Sequence, residues 1–370
     1  MILALSLYLT MACQTATAAP SIEISSTPVA EIPMPKPPDW VKPLHGIHIT
    51  GWAAGSSKNR RALIRSAKAA GLNAVVIALK EYDGYVFVHD VPLAHEIGSF
   101  TNAIPDLAAC VRDFQSAGFY TIGRIVLFKD NRLARKRPDL AVHRPDGGLW
   151  TNAKGVAWVD PYKREVWEYN LAIASRAAVA GFDEIQFDYL RFPSDGNTRL
   201  CRYSKKDHSD ETANKNLVDF LTLARQRLST KLSICVFGMT TTDDSGMGIG
   251  QHILELARQV DFVSPMMYPS HYAKGSYNLK NPNRSPYKTI LHGTRDAVLR
   301  MGAEAWKLRP YFQDFSLGVR YREEQVRAQI LAAAREGVTN WILWNPQNRY
   351  TWGALRHNNK PIYEFSLKKP

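Results

Sequence analysis

The chain has 370 residues, of which 45% are hydrophobic and 11% aromatic, and carries a formal net charge of +13. That composition excludes a disordered polar polymer, and no internal apolar run reaches the roughly 20 residues that span a bilayer. The length suits one large α/β domain, while the charge points to an acidic partner or to a merely basic surface.

The first residues, MILALSLYLTMACQTATAA, read as an export segment over 1–18. An apolar stretch runs into small residues, with Ala16-Thr17-Ala18 as an A-x-A-like cleavage site, although the usual basic start is missing. A lipid anchor on Cys13, after Leu9-Thr10-Met11-Ala12, is the alternative. Both readings predict a periplasmic or extracellular protein. Residues 19–44, containing PMPKPPDWVKP, read as a Pro-rich extended linker. A single barrel domain is expected over 45–357, followed by a tail over 358–370.

From residue 46 onward, short apolar strands alternate with amphipathic helices. Strands are predicted at 46–53, 73–80, 120–128, 184–190, 232–238, 262–268, 307–315 and 340–346, and helices at 58–70, 104–117, 162–180, 211–229, 250–259, 287–301 and 323–336. Gly71, Gly118, Gly181 and Gly337 each stand just past a helix, where a left-handed residue is wanted. Eight strands alternating with helices predict a (β/α)8 TIM barrel. An open doubly wound sheet would want a Gly-rich phosphate turn after its first strand, for which ITGWAAGSS is a weak substitute.

In such barrels the active site is built at the C-terminal strand ends. Side-chain alternation puts Gln186 and Asp188 on the barrel side of strand four, with Ile185 and Phe187 facing helices. The same alternation places His48, Thr50, Lys80, Arg124, Tyr268, Gln313 and Asn345 inward, and Asp314 too if it already lies on the loop. Singly, each could be an ordinary packing or ion-pair residue. Together at one end they predict a polar-substrate site. The long segment from Lys129 to Pro161 carries Trp150 and Trp158, which with Trp52 and Trp344 are candidate sugar platforms or core residues.

After removal of an export segment Cys110, Cys201 and Cys235 would remain, an odd and scattered set that suits buried thiols rather than a disulfide framework. No metal-ligand spacing, G-x-S-x-G elbow or phosphate cradle is present, and no cofactor is expected. Lys and Arg are dispersed except in RLARKRP (132–138), with no nucleic-acid module signature. Carboxylates at strand ends, aromatic platforms and polar clamps are the parts used in glycoside hydrolysis, where one carboxyl protonates the leaving oxygen and the other attacks or activates water.

Several longer motifs point the same way. GFDEIQFDYLRFPSDG (181–196), RIVLFKD (124–130), GVAWVDPY (155–162), DDSGMGIGQ (243–251), SPMMYPSHY (264–272), RPYFQDF (309–315) and ILWNPQNRY (342–350) resemble the glycoside hydrolase domain family DUF4015, over about Leu44 to Tyr350. The resemblance implies a TIM barrel and an exported, carbohydrate-active enzyme. GFDEIQFDY is also distantly similar to the strand-four motif GFDGIDIDWE of chitinase-type barrels. Asp183 and Asp188 match acids there, but Gln186 replaces the middle Asp and Leu190 stands where the proton-donating Glu belongs. That mechanism is therefore not carried over. Strand two commonly reads VIDVKDDDG in DUF4015 and VIALKEYDG here, so a role for the acid missing at Ala78 passes to Glu81 or Asp83, or is absent.

The expected catalytic carboxylates are Asp188, as nucleophile or base, with Asp314 or Asp244 as partner. Each could instead serve only an ion pair, Asp188 with Arg191 or Arg124. Lys80, Arg124, Trp150, Trp158, Gln186, Arg191, Tyr268, His271, Gln313, Trp344 and Asn345 are the expected substrate contacts. Arg191 either holds a carboxylate in place or clamps an acidic sugar. The expected function is hydrolysis of an extracellular or envelope polysaccharide, with an anionic polymer as one candidate. The alternatives are a non-catalytic carbohydrate-binding barrel and a wall-anchored scaffold using its charge.

Overall fold

The structure is a computed structural model that describes residues 34–243, 245–357 and 360–362. The expected export segment, most of the linker, Asp244 and most of the tail lie outside the described residues.

Eight parallel strands close into a barrel in chain order, with the last paired to the first. They are β1 (His45–Ile49), β2 (Ala74–Lys80), β3 (Tyr120–Val126), β4 (Glu184–Asp188), β5 (Lys231–Phe237), β6 (Phe262–Met267), β7 (Tyr311–Gln313) and β8 (Trp341–Trp344). Each connection between consecutive strands carries a helix, α1 (Ser57–Ala69), α2 (Leu107–Ser116), α3 (Arg164–Val179), α4 (Asp210–Arg227), α5 (Ile253–Ala257), α6 (Pro286–Met301) and α7 (Glu323–Arg335), and shorter helices at Gly51–Gly55, Pro92–Glu96 and Asn131–Lys136 precede α1, α2 and α3. Both faces of these strands are buried, which is why the strands read as apolar runs rather than as alternating patterns. The outward residues Ile47, Val75, Ile77, Ile185 and Phe187 pack under the helices in one continuous core. Val76, Ile122, Tyr311 and Ile342 belong to a separate apolar cluster inside the barrel.

Local chemistry ends the helices where the chain must turn back. Gly71, Gly118, Gly181 and Gly337 all have φ between 80° and 98°, a left-handed backbone that residues with a Cβ resist. Asp106 caps α2 by accepting from the Ala109 N–H at 2.8 Å. One departure from regular pairing matters for the site. The register of β2 against β3 shifts between Ala78 and Lys80, so Ala78 faces Arg124 while Lys80 pairs with outward-facing Ile125. No helix among the described residues is long and apolar enough to cross a membrane.

Candidate active site

The barrel interior is polar in layers. At the bottom, Glu184 on β4 and Arg309 just before β7 form a fully buried ion pair, and the Tyr120 hydroxyl donates to the same carboxylate at 3.2 Å. One layer higher, the Gln186 amide donates to Ser233 Oγ at 3.1 Å and accepts from the Tyr311 hydroxyl at 2.6 Å. Gln186 therefore stitches β4, β5 and β7 together beneath the site.

The top layer is different because it opens onto a cleft of about 330 Å³ at the C-terminal ends of the strands. Asp188 ends β4 there, only 4% exposed. Its Oδ2 accepts from Arg124 Nε at 2.8 Å and Nη2 at 2.6 Å, and its Oδ1 accepts from the Tyr189 N–H at 2.7 Å. The third nitrogen of the same guanidinium, Nη1, reaches Glu81 Oε2 at 3.2 Å. One arginine thus carries two carboxylates from β4 and from the loop after β2. Burial works against the Arg124 charge, but Asp188 and Glu81 outweigh it, so its pKa sits well above the ordinary arginine value.

Immediately after Asp188 the chain turns sharply. Tyr189 adopts φ 51°, a conformation that costs a non-glycine residue on the order of 1 to 3 kcal/mol and that recurs at functional sites. The turn brings both Tyr189 and Arg191 to the cleft wall. Arg191 is buried, with its guanidinium over the rings of Trp158, Tyr189 and Phe237 at 4.8, 4.8 and 4.4 Å. From β1, His48 lines the floor with both ring nitrogens buried and without a hydrogen-bond partner among the described residues. Burial and the nearby Arg124 charge push its pKa well below the usual histidine value, so it is a neutral imidazole at neutral pH.

The structure distributes the other expected residues unevenly. Tyr268, His271 and Trp344 line the cleft with Asp188, Arg124 and Arg191, and Tyr268 and Trp344 lie 5.2 Å apart at a 31° tilt. Lys80 does not reach it. The β2 register shift turns Lys80 outward beneath α3, where its ammonium bonds Asp130 at 2.7 Å and Asn170 at 2.8 Å. Trp150 and Trp158 are 1% and 0% exposed, so neither offers a ring face to a sugar; Trp158 instead backs Arg191. Gln313 is inward but buried, accepting from the Ser270 N–H at 3.0 Å. Asp314 faces away, accepting from the Thr351 N–H at 2.8 Å and the Thr351 hydroxyl at 2.6 Å. Asn345 caps the same loop by accepting from the Gln347 N–H at 2.8 Å.

Some of the cleft was not anticipated. Phe237, Met239, Met247, Met266 and Tyr272 supply much of its apolar wall, and Cys235 lies on its floor as a free thiol. Nothing in the sequence distinguishes these from ordinary core residues. Glu81 was accessible only by comparing VIALKEYDG with the family pattern.

A search of curated proteins finds no match. Among solved structures, a hypothetical protein from Ruminiclostridium thermocellum is 33% identical over 51% of this chain and 96% of its own, with a TM-score of 0.47. The PgaB (BpsB) glycoside hydrolase domain from Bordetella bronchiseptica is 12% identical over 82% of this chain and 94% of its own, with a TM-score of 0.59. The α-L-fucosidase isoenzyme 2 from Paenibacillus thiaminolyticus is 10% identical over 87% of this chain and 47% of its own, with a TM-score of 0.56. At such identities the last two share the fold. The family DUF4015, described as "Putative glycosyl hydrolase domain", matches residues 46–350, and this chain is a member of that family.

Proposed function

We propose that this protein hydrolyses glycosidic bonds of a polysaccharide outside the cytoplasm, with Asp188 and Glu81 as its carboxylate pair. The observation that carries this reading is the sharing of Arg124 by both acids at the mouth of the barrel. A single guanidinium touching both cannot hold them further apart than the roughly 9.5 Å limit of glycosidase pairs. Asp188 is buried at the cleft with both oxygens fixed by donors, which suits the member that attacks the anomeric carbon or activates water. The Glu81 side chain is 24% exposed and touches Arg124 through one nitrogen only, so it is the less tightly held of the two and is assigned the proton transfer at the leaving oxygen. Asp314, bound to Thr351, is set aside as partner. Trp344 and Tyr268 offer the aromatic surface for a sugar ring. Family membership supports the reaction class, and the segment 1–18 supports export.

A second reading has its own support. Both Asp188 oxygens are already occupied, as they would be in a carbohydrate-binding barrel that has no chemistry to perform. Reducing-end release from wall, capsule and exopolysaccharides separates the two. Hydrolysis requires release by wild type, with loss in both Asp188→Asn and Glu81→Gln. Unchanged binding with no release by wild type would establish the binding protein instead.

A further inference from the structure

The cleft continues into a second depression. A groove of about 1020 Å³ runs from it along the loop between β4 and α4, and Phe237 and Met247 line both. Charge is distributed unevenly along this path. Arg199, Arg202 and Lys206 line the groove, are exposed, and make no ion pair with the described residues. Lys205 joins them but is paired with Asp207 at 3.0 Å.

At the junction stands Arg191. Its Nη1 donates to the Phe192 carbonyl at 3.1 Å and to Ser194 Oγ at 2.8 Å, while Nε and Nη2 bond none of the described residues. Neither of the two nearby acids bonds it. Asp188 is held by Arg124, and Asp195 accepts through Oδ2 from Lys129 at 3.3 Å and Asn152 at 2.5 Å, while its buried Oδ1 has no partner among the described residues. A buried guanidinium without a carboxylate is costly to maintain. Aromatic rings offset part of that cost, but they leave the planar fork of Nε and Nη2 open, the arrangement that matches a carboxylate in two parallel bonds.

We propose that cleft and groove form one binding track for an acidic polysaccharide, in which Arg191 clamps a uronate carboxylate beside Asp188 while Arg199, Arg202 and Lys206 follow the acid groups of the next residues. This rests on the glycosidase reading of the same cleft and names the substrate class for it.

Binding of the full chain to polygalacturonate, alginate and hyaluronan tests the track, with methyl-esterified polygalacturonate, dextran and dextran sulfate as comparisons. The Asp188→Asn variant serves as the non-cleaving background. It binds at least one uronate polymer more tightly than the methyl ester or dextran. Arg191→Gln weakens that binding by roughly 10- to 100-fold, the worth of one charge-assisted pair. Arg191→Lys, which keeps the charge in the same wall, restores only part of it. The exposed triple variant Arg199→Gln, Arg202→Gln, Lys206→Gln lowers affinity and flattens its salt dependence.

Equal binding of the methyl ester, no binding of any uronate polymer, or full affinity in both Arg191 variants would each overturn the track. Dextran sulfate binding better than every uronate, with no loss in Arg191→Gln, would also overturn it by leaving charge density alone. Uronate binding without cleavage would remove the hydrolase and leave the track standing. Cleavage of a neutral glycan, undisturbed in Arg191→Gln, would do the reverse.

Discussion

Arg124 on β3 holds Asp188 on β4 through two nitrogens converging on one carboxylate oxygen, at 2.8 and 2.6 Å. The register makes this contact possible: Arg124 pairs with Gln186 along the strands, so its side chain meets Asp188 one layer up. The same guanidinium also reaches Glu81. Arg124 is therefore a positioning residue for both proposed acids.

Arg124→Lys keeps the positive charge and loses the planar fork that joins two carboxylates. Polysaccharide cleavage should fall by roughly 10- to 100-fold, as expected when a bidentate guanidinium becomes a point charge. The loss should appear in kcat more than in KM. A wild-type kcat would deny Arg124 this part.

Asp314 presents a separate pH dependence. It is 3% exposed and makes no ion pair among the described residues, and burial raises its pKa from 3.8 to about 6, against the opposing bonds from Thr351. A carboxyl whose folded pKa lies above its unfolded value favours the folded state most at pH below 3.8, and that contribution is lost as pH rises through 6. Asp314→Asn, which keeps the shape and an acceptor for Thr351, should leave stability near wild type at pH 4. At pH 7.5 it should be more stable by about 2 to 3 kcal/mol. Urea unfolding at both pH values checks this, and an equal offset at the two would mean that Asp314 is not the titrating group.

The eight strands were legible because each is buried on both faces and bounded by turn residues, and the left-handed glycines mark four helix ends. Asp188 and Arg124 could be placed from side-chain alternation alone. Lys80 could not, since alternation fails wherever a bulge intervenes and the bulge is a property of the backbone pairing. Trp150 and Trp158 illustrate another gap: whether a loop tryptophan meets ligand or core depends on which segment folds over it. Here the Trp150 indole donates to the Asn197 carbonyl at 3.0 Å, a contact 47 residues away in sequence. Phe237 and Met247 are apolar residues after an apolar strand, and only the closed barrel gives them a cleft to line.

Lys80 makes the bulge testable. Its ammonium and the Asp130 carboxylate are both fully buried and 2.7 Å apart. Desolvation by burial pulls the Lys80 pKa down, and Asp130 only partly restores it. Lys80→Met should cost about 3 to 5 kcal/mol by stranding Asp130, measured by denaturant unfolding. Affinity for the glycan, measured where both proteins are folded, should not change. A weakened affinity at unchanged stability would put Lys80 back in the cleft.

The bottom of the barrel offers the cleanest stability experiment, because Glu184 and Arg309 are both fully buried and far from solvent. Arg309 also stacks its guanidinium 4.6 Å above the Phe262 ring, and its Nε has no partner among the described residues. Glu184→Gln leaves that charge uncompensated and should destabilise the protein by about 3 to 5 kcal/mol. Removing both charges with Glu184→Leu and Arg309→Met should recover most of the loss, since an apolar pair of similar volume avoids the desolvation of two ions. Equal destabilisation in the single and double variants would mean that the pair contributes packing rather than charge. The Tyr120 hydroxyl then becomes informative, because its donation to Glu184 is lost in the double variant. Adding Tyr120→Phe to the double variant should therefore cost little, whereas in wild type it removes a buried hydrogen bond worth about 1 kcal/mol.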